Sequence, residues 1–197
     1  METQLPMFQP EVKLEFVRRY CPPKDGWMVS VDIDASEEGR TGGERTTEEA
    51  RRVQRQMRAD GERVRREFKR LEVTVGKRAE WFERRALPPI IGDRDVVAFH
   101  AADKICLIAE VEGSSSGQPE QKLYKAIGQL VMAASSAELP GWRRALVLVV
   151  HGEKIAVLLS RAEAIKQLGI SALVLAKTPT DDRWSFRDER LPHYPKN

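Results

Sequence analysis

The chain has 197 residues, 41% hydrophobic and 32% charged, a size and mix that suit a globular protein with its own core and exclude a disulfide-stapled miniature. Its longest aliphatic run, Ala145 to Val150, is too short to span a bilayer. Met1 to Pro10 lacks the basic-then-apolar pattern of an export signal, and there are only two cysteines, Cys21 and Cys106, so the expectation is a soluble, intracellular protein with no membrane partner.

In chain order, Glu11 to Arg19 reads as a short helix, closed by Pro22 and Pro23. Trp27 to Asp34 alternates as a strand, with Trp27, Val29, Val31 and Ile33 inward and Ser30, Asp32 and Asp34 outward. Ser36 to Arg45 is polar and glycine-rich and reads as a flexible loop. Thr47 is placed to cap a helix that carries Val53, Met57, Val64, Phe68 and Leu71 on one side. Leu71 to Gly76 alternates like a strand, but the spacing favours helix to about Arg85, ended by Pro88 and Pro89. From Arg51 to Arg85 there are 13 basic and 6 acidic residues, so the net charge of +3 hides +7 here and −4 elsewhere. That surplus suits a polyanion partner, or a solvated helix with paired arginines, or an oligomerisation element that makes the chain a homodimer.

The second half alternates strand and helix: strands at Asp95 to Phe99 and Lys104 to Glu112, a helix at Pro119 to Ala134, a strand at Ala145 to Val150, a helix at Leu159 to Leu168 and a strand at Ser171 to Ala176. The expected fold is α/β, a mixed central sheet flanked by helices in one domain. Residues 1–46 form an N-terminal extension, 47–176 the core and 177–197 a tail without periodicity.

Glu110 and Glu112 share one face of their strand. A tight hairpin at His100 to Asp103 pairs positions whose numbers sum to about 203–205, which sets Asp95 opposite residues 108 to 110. Three carboxylates on one spot repel unless a proton or a cation separates them, and an all-oxygen set suits Mg²⁺ or Mn²⁺ better than zinc.

The strings Gly92-Asp93-Arg94-Asp95-Val96-Val97-Ala98 and Ile108-Ala109-Glu110-Val111-Glu112-Gly113, followed by a helix with Gly128-Gln129-Leu130, resemble the PD-(D/E)xK nuclease superfamily. The likeness covers Gly61 to Ala176. It implies a restriction endonuclease-like core, a Mg²⁺-dependent nuclease activity and Asp95 and Glu110 as metal ligands, with the Val111 carbonyl beside them. The family's motif lysine is Glu112 here. Either Glu112 serves as general base, or a lysine has moved to the next helix, where Lys122, Lys125 and Gln129 share a face; an upstream Glu80 or Glu83 would add a ligand. The stripe Leu123, Ile127, Leu130 and Ala134 points about 120–180° from that face, so packing the stripe on the sheet turns the lysines to solvent. DNA, rather than RNA, is the expected partner through the Arg51 to Arg85 region. The alternative is a catalytically degenerate member of the same fold that binds nucleic acid or protein. Gly113 to Gly117 lacks the GK[ST] ending of a phosphate loop, which leaves nucleotide hydrolysis unsupported.

Overall fold

The computed structural model describes residues 7–39, 47–76, 78–87, 90, 94–113, 119–136, 140–151, 159, 165, 167–177 and 184–188. In chain order these form α1 (Gln9–Tyr20), a single 3-10 turn (Pro23–Asp25), β1 (Trp27–Val31), α2 (Glu48–Arg70), β2 (Thr74–Val75), α3 (Arg78–Arg84), β3 (Val96–His100), β4 (Ile105–Glu112), α4 (Pro119–Ser136), β5 (Arg143–His151), β6 (Ile170–Lys177) and β7 (Trp184–Asp188). The strands make one mixed α/β sheet in the order β2-β1-β3-β4-β5-β6-β7. β4, β5 and β6 run parallel, whereas β3 is antiparallel to both β1 and β4.

β4 is buried along its whole length, because it has a strand on each edge and helices over both faces of the sheet. Strand alternation sorts the two faces. Cys106, Ile108, Leu148 and Val150 pack with Leu123, Ala126 and Leu130 of α4 and with Trp81 and Phe82 of α3. Leu107, Ala109, Val111 and Val149 pack with Val12, Phe16 and Val17 of α1 and with Val64 and Phe68 of α2. The apolar stripe of α4 therefore faces the sheet as its spacing predicts. Ser30, expected outward on β1, is fully buried, since β1 too is covered on both sides.

The expected single helix from Thr47 to Arg85 is instead two helices and a strand. Thr47 does cap α2, its Oγ1 accepting from Ala50 N at 3.2 Å. After Arg70, however, Glu72 takes a left-handed φ of 61°, and the amides of Glu72 and Val73 turn back to Lys69 O (3.2 Å) and Phe68 O (2.9 Å). This is the Schellman closure, with glutamate where glycine is the usual signal. Thr74 and Val75 then pair in parallel with Ser30 and Val31 of β1. α3 follows on the opposite face, so the basic surplus is split across two sides of the molecule.

Other differences are smaller. β7, in a stretch without periodicity, adds antiparallel to β6. Leu159, Ile165 and Gln167 are helical, but most of the expected Leu159 to Leu168 helix lies outside the described residues, as do Pro88 and Pro89. In the expected loop, Ser36 to Gly39 forms a turn in which Glu38 is buried, and 40–45 lies outside the described residues. No helix among the described residues is long and apolar enough to cross a membrane.

The N-terminus of α1 rests on the end of β4 at Gly113, where an added Cβ would stand 2.3 Å from Gln9 N and 2.6 Å from Gln9 Cα. Both atoms are backbone, so the contact cannot yield by a side-chain rotation. Gly113→Ala is expected to displace the start of α1 and cost about 1–3 kcal/mol, read as a lower urea midpoint. An unchanged midpoint would mean that α1 does not seat against Gly113.

Candidate active site

Asp95 precedes β3 by one residue, and its carbonyl accepts Asp32 N at 2.9 Å, which extends the β1–β3 ladder by one step. The β3–β4 register, Val96↔Ala109 through His100↔Ile105, sums to 205, so its continuation sets Asp95 directly opposite Glu110. The hairpin geometry expected from the sequence is the one observed. The Asp95 carboxylate is held by Val111 N on Oδ2 (2.7 Å), by the Lys13 ammonium on Oδ1 (2.7 Å) and by Gln9 Nε2 at 3.4 Å from each oxygen. A carboxylate with this many donors is fixed in place.

Glu110 faces the α4 side with only 3% of its surface exposed. Its Oε1 makes no hydrogen bond, and Arg94 Nη1 stands 3.7 Å away. Burial, reinforced by the charge of Asp95 and a side-chain hydrogen bond with it, pushes its carboxyl up to about 9, with Arg94 and Lys13 pulling the other way. Glu112 closes β4 on the same face, near-buried, with Lys122 Nζ 3.8 Å from Oε2. Burial raises its carboxyl too, and Lys122 and Lys125 oppose the shift.

Of the lysines on α4, Lys122 turns back toward Glu112, while Lys125 is exposed and acts on Glu112 only through its charge. Gln129 is half-buried two turns beyond Lys122 and, among the described residues, makes no hydrogen bond to the three carboxylates. Glu80 is exposed and paired with Arg84 on α3. Val111 points to the other face, against the α1 side, and its amide is spent on Asp95. Among the described residues no three His, Cys, Asp or Glu side chains gather as a metal-holding set. The structure brings Asp95 and Glu110 together and leaves Glu112 one strand repeat further on.

The residue that sequence reasoning missed is Lys13. It lies in α1 with none of its surface exposed, and its ammonium donates to Asp32 O (2.7 Å) and to both Glu37 oxygens (2.7 and 2.9 Å) as well as meeting Asp95. Burial alone would pull this ammonium down, but Asp95 and Glu37 together hold it above the ordinary lysine value. Glu37 is pushed up to about 7 by burial, with Lys13 opposing and Asp95 adding to the rise. One ammonium shared by two carboxylates leaves the weaker partner only half answered. Glu37 is delivered by a turn in which Asp34 Oδ1 accepts the amides of Ser36 (2.7 Å) and Glu37 (2.8 Å). The one sequence signal for Lys13 was its position among Val12, Leu14, Phe16 and Val17, all of them buried.

The donor set fits a hard cation. It offers oxygen ligands only, and a buried Glu110 oxygen without a hydrogen bond sits across from Asp95. Comparison of the chain with family models, with curated proteins and with solved structures found no match.

Proposed function

We propose that the protein is a PD-(D/E)xK-like, restriction endonuclease-related hydrolase that cuts phosphodiester bonds of nucleic acid, DNA in preference to RNA, with Mg²⁺ or Mn²⁺. The observation that carries this reading is the in-register opposition of Asp95 and buried Glu110, whose Oε1 lacks a hydrogen bond, at the end of the sheet. Asp95 and Glu110, with the Val111 carbonyl, would hold the ion, which when bound acidifies water and offsets charge on the phosphate. Lys13 holds Asp95 in position, a lysine reaching this carboxylate from α1 rather than from position 112. Glu112, one strand repeat along the same face, would take a proton from the attacking water at a carboxylate oxygen, with Lys122 3.8 Å from that carboxylate.

The second reading, a degenerate member that binds without cutting, is favoured by the same cations. Lys13 already answers Asp95, and Arg94 stands near Glu110, so the site is partly compensated by the chain itself. Incubation of purified protein with duplex DNA, single strands and RNA, with Mn²⁺ or with EDTA, separates them. Metal-dependent cleavage lost in Asp95→Ala supports the nuclease. No cleavage, and no rise in melting temperature with millimolar Mn²⁺, would leave the binding module.

A further inference from the structure

Resting on the reading that the Asp95–Glu110 end of the sheet works on nucleic acid, we propose that the outward stripe of α2 is the surface that grips the phosphate backbone of a duplex. The basic residues of α3 have no part in this. α2 holds 23 residues, and its only buried positions are Gly61, Val64 and Phe68. Two of its arginines are spent on anchorage, Arg63 pairing with Glu11 of α1 and Arg65 with the buried Glu38. The others sort to one side at 100° per residue. Arg51, Arg52, Arg55, Arg58, Arg66, Lys69 and Arg70 are all exposed and lie within about 120° of arc, accompanied there by Glu48 and Glu62 only. Glu49, Asp60 and Glu67 fall on the flank.

The pairs that exist along this stripe do not hold it shut. Arg51 and Arg55 share the single carboxylate of Glu48, itself 73% exposed at its side chain, Arg70 pairs with Glu67 at 2.6 Å, and Arg58 Nε donates to Gly39 O at 3.3 Å. Exposed pairs of this kind contribute little and exchange readily for phosphate. From Arg51 to Arg70 the stripe is about 28 Å long, and its seven cations fall in two groups, Arg51 to Arg58 and Arg66 to Arg70, about 12 Å apart along the helix, a length that spans several phosphates of one duplex strand.

Two series of contacts place the stripe at the candidate site. Arg63 meets Glu11 in the first turn of α1, next to Gln9 and Asp95, while Arg18 near the other end of α1 meets Glu67. The residues of α2 before Arg63 therefore continue past the end of the sheet that carries Asp95. The chain leaving β1 runs out beside them in the same direction. Ile33 O accepts from Arg65, Glu38 packs against Gly61 closely enough that an added Cβ would stand 2.8 Å from its Cγ, and Gly39 O accepts from Gln54 at 2.9 Å. The half of the stripe from Arg51 to Arg58 thus lies beyond the end of the sheet that carries Asp95, on its α1 side.

The test is the salt dependence of binding to a fluorescent duplex of about two helical turns, in EDTA so that the probe stays whole. Arg52→Gln, Arg55→Gln, Arg66→Gln and Arg70→Gln together are expected to lower the slope of log K against log salt by about 3–4 and to weaken binding at least tenfold at 0.1 M salt. The same four positions changed to lysine keep the slope, which separates charge from damage to the helix. Arg84→Gln with Arg85→Gln, at the end of α3, leaves it unchanged. If wild type binds no nucleic acid at all, the reading of the site falls with the stripe. If wild type binds and the four-glutamine variant keeps the wild-type slope, the stripe is overturned while the site reading stands. A loss seen on single strands but not on duplex overturns the stripe as a duplex grip.

Discussion

Lys13→Met is expected to destabilise the protein by about 3–5 kcal/mol at pH 8, a fall of about 6–20 °C in melting temperature for a chain of this size. The ammonium is fully buried and serves three oxygen partners, Asp32 O, Glu37 and Asp95. Removing it leaves two half-buried carboxylates without the cation they share. Replacing a buried ion pair outright can be neutral, but removing one member leaves an uncompensated charge. The loss is expected to shrink toward pH 5, because Glu37 then takes up a proton and the uncompensated charge falls. The companion variant Glu37→Gln moves the other way. A carboxyl held at about 7 in the fold, against an ordinary 4.5, keeps a proton that the unfolded chain has already given up. Its contribution therefore turns unfavourable as pH rises from about 4.5 to about 7, and is unfavourable in full above that. Glutamine has no proton to lose, so the variant gains on the order of 2–3 kcal/mol over wild type at pH 8 and nothing at pH 4. Denaturation curves at both pH values for the two single variants and the double variant close the cycle. Equal stability of wild type and Lys13→Met at pH 8 would mean that the ammonium does not sit between these carboxylates.

The readability of the site divides along the same line. The opposition of Asp95 and Glu110 was accessible from sequence, because alternation gives the face and a four-residue turn gives the register, both local properties. The two sheet layers were accessible for the same reason, from Val97, Phe99, Cys106 and Ile108 on one side and Ala98, Leu107 and Ala109 on the other. What could not be read is what long-range packing decides. Lys13 lies 82 positions before Asp95, in a helix where a lysine ordinarily turns to solvent, and nothing near it announces two buried carboxylates. The end of α2 was hidden because the left-handed position that closes it is Glu72 and not glycine. β7 was hidden because an edge strand needs only one partner and carries little pattern of its own. Placing Lys122 with the solvent-facing side of α4 was right for the helix but missed the side chain, which is long enough to reach back to Glu112.

Glu110→Gln is the change that separates a working metal centre from a buried acidic relic. The substitution keeps shape and hydrogen-bonding capacity but removes the charge, at a position where only 3% of the residue is exposed and Oε1 has no hydrogen bond. In EDTA the variant is expected to be at least as stable as wild type, since wild type must either bury a charge that Arg94 meets only at 3.7 Å or bind a proton beside Asp95 to avoid it. A glutamine NH₂ can also donate toward Asp95, which a carboxylate cannot. With Mn²⁺ the order reverses. Wild type is expected to gain about 2–3 kcal/mol at a hundredfold excess over the dissociation constant, and Glu110→Gln to gain little, because an amide oxygen is a weaker ligand and carries no charge to offset. Cleavage is expected to fall a hundredfold or more while the fold is intact. That combination, a variant that melts no lower than wild type without metal yet loses both metal stabilisation and activity, has no structural explanation apart from a cation held at Glu110. If Glu110→Gln is instead less stable than wild type in EDTA, then Arg94 at 3.7 Å is the true partner of Glu110, and the pair is an internal ion pair of a protein that binds without cutting.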